Sequence, residues 1–310
     1  MLGLVLAASN VPPMYRPRKD WQAIYSSQVT EGIPSPNELE QETDEIVDQY
    51  IDRIHKGFEA LKGQLKTYQP DVLVMLGYDD GTCFSDVQVP QFSTYTGEEI
   101  SGTTAIEALG EKPEDHMVTL PCAPSLAWEI QAELVDRSFD MSYMSVQNPL
   151  GKPENGTSSA FTRLPATLLD GMNVPVIPIF INCHMEPTPT GHRCYDFGKA
   201  LGGVLEDLPA KVAVLAVGGL SHDPNGARAG WIDDRLDKFV LNRLGKGDSQ
   251  RLTTMFDLDS DTIRGGTGQI RTWIAAGAAA EAKGGKAVTI DYIPALRAMT
   301  GIGFAHWPLS

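Results

Sequence analysis

Short apolar segments recur along the chain, each bounded by Gly, Pro or Asp, and helical patterns lie between them. Apolar residues follow one another in these segments almost without alternation, which is typical of strands covered on both faces. The pattern predicts buried strands at residues 2–8, 71–77, 117–120, 174–182, 211–217 and 287–293. Residues 140–146 form a weaker candidate strand.

The longest helical pattern covers residues 35–66, where apolar side chains from Val47 to Leu65 recur at three- and four-residue steps. Ser35 and Pro36 are residue types that favour the start of a helix. Further helices are predicted at residues 125–137, 195–208, 232–244 and 269–283.

Because strands alternate with helices, the sequence predicts an α/β fold with a central, mostly parallel sheet flanked by helices. No internal repeat or linker divides the chain, so we expect residues 1–310 to form a single domain.

Charge and composition narrow the classes of partner. The chain has 40 Asp and Glu against 25 Lys and Arg, a formal net charge of -15, which disfavours nucleic acid as a partner. No apolar run approaches the roughly 20 residues of a membrane span, and residues 1–9 lack the basic start of a secretory signal. The four cysteines form no CxxC pair, which favours a cytoplasmic location over a disulfide scaffold or a structural zinc site.

Polar residues follow four of the predicted strands, and ligands of open α/β sheets bind outside the carboxyl ends of the strands. Two loops rich in Pro, Gly or Asn, at residues 9–20 and 148–159, are long enough to bind a ligand. The polar residues at the four strand ends are Asn10, the pair Asp79 and Asp80, His184 with Glu186, and His222.

The segment 218–222, with the sequence Gly-Gly-Leu-Ser-His, is the most specific of these strand ends. Its two glycines allow a tight turn or a close approach to a ligand, and histidine is the side chain best suited to proton transfer near neutral pH. We therefore expect His222 to act as an acid or base. The alternative is a hydrogen-bonded structural histidine.

The other strand ends leave two interpretations open. Asp79 and Asp80 either cap the following turn or act as a ligand or general base. His184 and Glu186 stand two residues apart, so both can face one cleft, or they form an exposed loop pair.

Several segments together carry a resemblance to a known family. They are Asn10-Val11-Pro12, the block 78–92, residues 176–182 followed by Pro187-Thr188-Pro189-Thr190-Gly191, the segment 218–222, and Gln269-Ile270-Arg271-Thr272-Trp273-Ile274-Ala275-Ala276. With these segments the chain resembles the class III extradiol ring-cleavage dioxygenase superfamily, which contains protocatechuate-type and dihydroxyphenylpropionate-type enzymes. The resemblance implies that family's α/β fold.

The resemblance also implies a ferrous site of two His and one Glu, at positions that hold Asn10, Asp80 and Gln269 here. Amides are weak ligands for Fe(II) compared with imidazole or carboxylate, so we expect no metal at these positions. The resemblance implies two acid/base histidines, of which this sequence keeps only His222. A rearranged iron site would have to use Asp80, His184 and Glu186.

Three functions follow as hypotheses. The first is a metal-independent acid/base enzyme of aromatic-compound metabolism, of lyase, hydrolase, decarboxylase or tautomerase type. The second is a dioxygenase with a rearranged iron site, and the third is a non-catalytic subunit that pairs with an active paralogue. We expect a small aromatic substrate, no cofactor, and a homo-oligomer or a paralogous subunit as partner. The site residues under the first hypothesis are catalytic His222, Asp80 and His184, and substrate-binding Asn10, Asp79, Glu186 and Gln269.

Overall fold

The computed structural model of the protein describes residues 1–258 and 260–309. The strands in this part of the chain are β1 (Leu2–Ala8), β2 (Val72–Gly77), β3 (Phe92–Tyr95), β4 (Glu99–Thr103), β5 (Met117–Pro121), β6 (Ser142–Met144), β7 (Val176–Ile181), β8 (Val212–Val217), β9 (Val288–Ala295) and β10 (Thr300–Pro308). The helices are α1 (Arg18–Gln28), α2 (Asp44–Tyr68), α3 (Pro124–Asp136), α4 (Arg163–Leu169), α5 (Gly191–Asp207), α6 (Asp234–Lys246) and α7 (Ile270–Glu281).

Eight of these strands form one sheet in the order β6-β3-β7-β2-β8-β1-β10-β9. The four central strands β7, β2, β8 and β1 run parallel and are buried along their whole length, apart from a half-buried Gly3. Antiparallel pairing appears where β3 joins β7 and where β10 joins β1 and β9. The prediction of a central, mostly parallel sheet flanked by helices is confirmed.

The helices pack their apolar faces against the sheet and against each other. α5 and α7 pack against each other closely enough that a Cβ on Gly202 would lie 2.8 Å from the carbonyl oxygen of Ala279. α7 also contacts β1, β2 and β8, and its residues from Ile270 to Ala280 are buried. α2 lies against β1, β9 and β10. The parallel strands are therefore buried between helices, as their continuous apolar character requires.

Two predicted strands lie elsewhere than expected. The segment 117–120 falls in β5, which pairs only with β4 in a separate two-stranded sheet and exposes alternate residues. The segment 287–293 falls in β9, an antiparallel edge strand that is half-exposed over much of its length. Neither is a strand covered on both faces. The sequence pattern also did not predict β3, β4 or β10.

The predicted helix at 35–66 is interrupted. A short 3₁₀ helix covers Asn37–Gln41, and α2 begins at Asp44. Between them the buried carboxylate of Glu42 accepts hydrogen bonds from the backbone N–H groups of Leu296 and Arg297, both at 2.8 Å. This tertiary contact fixes Glu42 outside a helix. The predicted loop at 9–20 likewise contains the start of α1.

No helix in the described ranges combines the length and apolar character that crossing a bilayer would need. The cysteines at positions 83, 122, 183 and 194 are all free thiols.

Candidate active site

The carboxyl ends of the four central strands meet at one edge of the sheet, because the strands are parallel and in register. Ala8 of β1 pairs with Val217 of β8, and Gly77 of β2 pairs with Phe180 of β7. The polar residues that follow these strands therefore lie at a common edge, as the sequence predicts. The start of α7, with Gln269 just before it, reaches the same edge.

Asn10, after β1, is buried and hydrogen-bonded through both ends of its amide. Its Nδ2 donates to the hydroxyl of Tyr78 at 3.2 Å, and its Oδ1 accepts from the hydroxyl of Tyr15 at 2.8 Å. Burial raises the pKa of both tyrosines well above the ordinary value, so both hydroxyls are protonated. The carbonyl-type oxygen that would have to bind a metal is thus already an acceptor.

His184, after β7, stands edge-to-face against Tyr78 with ring centroids 5.4 Å apart. Its Nδ1 lies 3.2 Å from the carbonyl oxygen of Gly265, and its Nε2 lies 3.2 Å from Nε2 of Gln269. The Gln269 amide is oriented by its Oε1, which accepts the N–H of Gly219 at 2.8 Å. Gln269 therefore presents its NH₂ to His184.

These contacts define the tautomer of His184. A carbonyl can only accept, so Nδ1 carries the proton, and Nε2 accepts from the amide of Gln269. Burial, with a smaller effect of His222, lowers the pKa of His184 to about 4. The imidazole is neutral at physiological pH.

His222 lies deeper, with 5% of its surface exposed. Its Nδ1 is 3.0 Å from the carbonyl oxygen of Leu220, which makes it a second Nδ1–H tautomer. Burial lowers its pKa, opposed by the bond to Leu220 and by the charge of Asp223. No described group hydrogen-bonds its Nε2, so that lone pair is the basic atom of the loop.

Consecutive glycines connect the two imidazoles. The carbonyl of Gly265 accepts from His184, and the space where Gly266 would carry a Cβ is filled by the ring of His222. Any side chain at residue 266 would displace the histidine. His184 and His222 also interact electrostatically.

Asp79 and Asp80, after β2, have different surroundings. Asp79 is 2% exposed and accepts the backbone N–H groups of Gly81, Cys83 and Phe84 at 2.9–3.1 Å. Burial, with the neighbouring charge of Asp80, raises its pKa to about 6. Asp79 caps the turn, the first of its two predicted interpretations, and substrate binding by it stays a prediction.

Asp80 is exposed and lines a cavity of about 340 Å³. Its Oδ1 accepts from the hydroxyl of Thr82 at 2.7 Å, and its Oδ2 accepts from the hydroxyl of Ser159 at 3.2 Å. The predicted loop at 148–159 supplies much of the cavity wall, together with Arg163. No hydrogen bond joins Asp80 to His222, and the carboxylate that acts on the pKa of His222 is Asp223.

His184 and Glu186 face one cleft, as their spacing predicts. Both line a second cavity of about 610 Å³, on whose wall Arg271 also lies. Glu186 is exposed, and its Oε2 accepts from the backbone N–H of Thr188 at 3.0 Å. The predicted site residues are thus divided: Asp80 and His184 line different cavities, while Asn10, His222 and Gln269 are buried at 3–5% exposure.

Sequence reasoning missed three residues that this geometry brings to the site. Tyr15 and Tyr78 hold Asn10, and Arg163 borders the cavity of Asp80. Tyr78 directly follows β2, so the strand-end rule itself could have identified it. Tyr15 and Arg163 lie on a 3₁₀ helix and at the start of α4, where no local pattern marks them.

The donors at the three implied ligand positions do not fit a ferrous site. Asn10 and Gln269 offer neutral amides whose oxygens accept hydrogen bonds from Tyr15 and Gly219. Asp80 alone offers a charged donor, and Fe(II) sites of this type use two imidazoles and a carboxylate. Among the described residues, no three His, Cys, Asp or Glu side chains are grouped to hold a metal ion. Asp80, His184 and Glu186 therefore do not form such a group.

Comparison with known proteins agrees with this architecture. Gallate dioxygenase of Pseudomonas putida KT2440 is 33% identical over 153 residues, which cover 48% of this chain and 43% of that protein. The 2,3-dihydroxyphenylpropionate/2,3-dihydroxicinnamic acid 1,2-dioxygenases of Photorhabdus laumondii and Comamonas testosteroni are 26% and 28% identical over 61% and 55% of the chain. The matches span about half the length of these curated relatives.

A solved structure extends the likeness in fold over nearly the whole chain. The crystal structure of the uncharacterized protein JW3007 from Escherichia coli K12 has a TM-score of 0.51, with 11% identity, over 98% of this chain and 99% of that one. At this identity the likeness concerns the fold alone. The family model described as the catalytic LigB subunit of aromatic ring-opening dioxygenase matches residues 34–301. The chain therefore belongs to the LigB family of aromatic ring-opening dioxygenase catalytic subunits.

Proposed function

We propose that the protein is a metal-independent acid/base enzyme acting on a small aromatic carboxylate. His222 is the acid/base, the neutral His184 lies near it and is fixed by Gly265 and Gln269, and Asp80 orients substrate hydroxyl groups. The family and its relatives support an aromatic substrate. The absence of a metal in the reaction is our inference from the donor set.

One observation carries the proposal: the amide of Gln269 is used within the chain. Its oxygen accepts the N–H of Gly219 in the loop of His222, and its NH₂ donates to His184. A carboxylate at this position would be charged and able to bind a metal ion, whereas the amide joins the neutral imidazole of His184 to the backbone of the loop that carries His222. The residue at an implied metal-ligand position thus holds His184 and the loop of His222 in place, which supports an acid/base role for this loop.

The chemistry requires only proton movement. Nε2 of His222 accepts the proton of a phenolic hydroxyl, and the electron pair released increases the negative charge on the ring carbons ortho and para to it. The imidazolium then returns the proton to one of those carbons, which yields the keto tautomer. From that tautomer, loss of a carboxyl group or cleavage of a side chain becomes accessible. A positioned general base contributes on the order of 10²–10⁴ in rate.

Arg163 is the group best placed to bind the carboxylate of such a substrate. Its Nε and Nη2 donate to the carbonyl oxygens of Thr104 and Ala105 at 3.3 and 2.6 Å, and its Nη1 has no described partner. Within the described residues no acid pairs with it. Gallate, the compound in the name of one relative, carries a carboxylate on a hydroxylated ring.

We predict that Arg163→Met weakens gallate binding by about 10–100-fold, the effect of losing a charge-assisted hydrogen bond. Pyrogallol, which lacks the carboxylate, should bind both proteins equally. Isothermal titration calorimetry measures both affinities. Lys152→Met is the matched control, because Lys152 lines the same cavity but faces Glu107 at 3.9 Å. Equal losses for the two ligands would argue against a carboxylate subsite.

The proposed function is tested by metal analysis together with turnover. After anaerobic purification we expect substoichiometric iron, and we expect the protein to exchange ring protons of gallate in D₂O in the presence of a chelator. Proton NMR follows the exchange, and His222→Ala provides the background rate. Stoichiometric iron with chelator-sensitive activity would favour the rearranged dioxygenase. Activity that appears only with a second protein would favour the non-catalytic subunit.

We further propose a cytoplasmic location and an assembly with a second copy or a paralogous subunit. The free thiols at positions 83, 122, 183 and 194 are consistent with a reducing compartment.

A further inference from the structure

We propose that Asp237 is a positioning residue for His222. Asp237 lies on α6, outside the candidate site, and is fully buried. It binds Ser221, the residue before His222, through both the backbone and the side chain. The proposal concerns the conformation of the loop, and it rests on the proposed function only where activity is concerned.

Every backbone N–H group of the loop 218–222 donates a hydrogen bond. Each of its five consecutive N–H groups donates to a different part of the fold: Gly218 to Ala8 O at 3.0 Å, Gly219 to Gln269 Oε1 at 2.8 Å, Leu220 to Gly301 O at 3.0 Å, Ser221 to Asp237 Oδ1 at 2.8 Å, and His222 to Thr267 Oγ1 at 3.1 Å. Asp237 provides the only carboxyl acceptor in this set, and it is the only one of the five acceptors that lies on α6.

Two hydrogen bonds join Asp237 to Ser221. Oδ1 accepts the Ser221 N–H, and Oδ2 accepts the hydroxyls of Ser221 and Tyr292, all at 2.8 Å. The Ser221 hydroxyl in turn accepts the N–H of Asp233 at 2.8 Å. A Cβ on Gly301 would overlap the carboxylate, so β10 leaves room for it only because residue 301 is glycine.

Burying the Asp237 carboxyl group is unfavourable, and its contacts indicate which role offsets this. No Lys, Arg or His in the described part of the chain pairs with Asp237, and burial raises its pKa to about 7. A buried acid without a cation is weak evidence for stability, because well-packed neutral residues often serve as well. Its distinctive effect is directional: it fixes both polar groups of Ser221. Fixing Ser221 sets the backbone from which the ring of His222 reaches Leu220 O.

Asp237→Asn separates positioning from folding. The asparagine keeps one oxygen for the Ser221 N–H, but its NH₂ cannot accept from the hydroxyls of Ser221 and Tyr292. Glu281→Gln is the matched control, because Glu281 accepts the N–H and the hydroxyl of Ser249 at 2.7 and 2.8 Å in the same manner. Glu281 lies at the opposite end of α7, about 16 Å along the helix from Ile270. It therefore has no contact with the loop.

The readout is the tautomer of His222 by ¹⁵N NMR of histidine-labelled protein, with the signals assigned through His222→Gln. The wild type should show a single Nδ1–H tautomer at alkaline pH. We expect Asp237→Asn to give a mixture of tautomers, together with a kcat loss on the order of 10² at nearly unchanged KM. Glu281→Gln should lose comparable thermal stability and keep the wild-type signals.

A His222 signal that is unchanged in Asp237→Asn would overturn the proposal, as would an equal change in Glu281→Gln. Because the tautomer is read without substrate, a failure of the proposed function appears separately, as absent turnover in a protein whose tautomer responds as expected. Asp223 and His184 are the charged or titratable groups that face His222, so the spectra are compared at one pH.

Discussion

Replacing His222 with alanine is expected to lower kcat by a factor on the order of 10²–10⁴, the usual contribution of a positioned acid/base. The imidazole is the only group of the loop with an unoccupied basic nitrogen, and its Nδ1 is fixed by the carbonyl of Leu220. The backbone bond from His222 N–H to Thr267 does not depend on the side chain. We therefore expect the fold to persist, with a stability loss of about 1–2 kcal/mol measured by urea unfolding.

His222→Asn is the sharper control for this prediction. An asparagine can place an NH₂ near the position of Nδ1 and keep the bond to Leu220, but it has no atom at the position of Nε2. Loss of turnover in both variants would assign the effect to Nε2, whereas activity in His222→Asn would refute the base role. Burial lowers the pKa of His222, so the acidic limb of the kcat/KM profile should lie below pH 6.5: a base acts when unprotonated and fails as the pH falls through its pKa.

The fold was predictable where burial alone determines structure. The four central strands are continuous apolar runs, and the predicted and observed bounds differ by two residues at most. β10 escaped prediction because Gly301 and Gly303 weaken the strand pattern locally. The structure explains these glycines by their partners, since a Cβ on Gly303 would lie 3.0 Å from the side chain of Leu220. This contact is tertiary, so the local sequence pattern does not show why a glycine is required.

The sequence predicted where the site residues lie better than it predicted which cavities they line and which groups they bind. The strand-end rule brought Asn10, Asp80, His184 and His222 to one edge of the sheet. It could not show that Asp80 and His184 line separate cavities, because the cavity walls come from loops distant in sequence. Nor could it show that the amide of Gln269 is bound to Gly219, since side-chain partners depend on tertiary packing. Residue type predicted the loss of metal donors, and only the geometry shows what the amides bind instead.

Restoring the family's donors should create an iron site that we expect the wild type to lack. The triple variant Asn10→His, Asp80→His and Gln269→Glu supplies two imidazoles and one carboxylate at the three implied positions, a donor set that suits Fe(II). A glutamate at position 269 can still accept the Gly219 N–H through one oxygen and leave the other for the metal. We expect stoichiometric Fe(II) in the triple variant after anaerobic reconstitution and removal of free metal, measured by elemental analysis.

The double variant Asn10→His and Asp80→His tests whether the carboxylate is required. It contains the same added imidazoles but keeps the Gln269 amide, whose oxygen accepts from Gly219, so we expect it to bind Fe(II) more weakly than the triple variant in a calorimetric titration. Removing only the Gln269→Glu change thus isolates the exchange of an amide for a charged ligand. If wild-type protein already binds stoichiometric Fe(II), the metal-independent mechanism loses its physical basis. If the triple variant binds no more Fe(II) than the wild type, the amides at positions 10 and 269 are not what separates this chain from a ferrous enzyme.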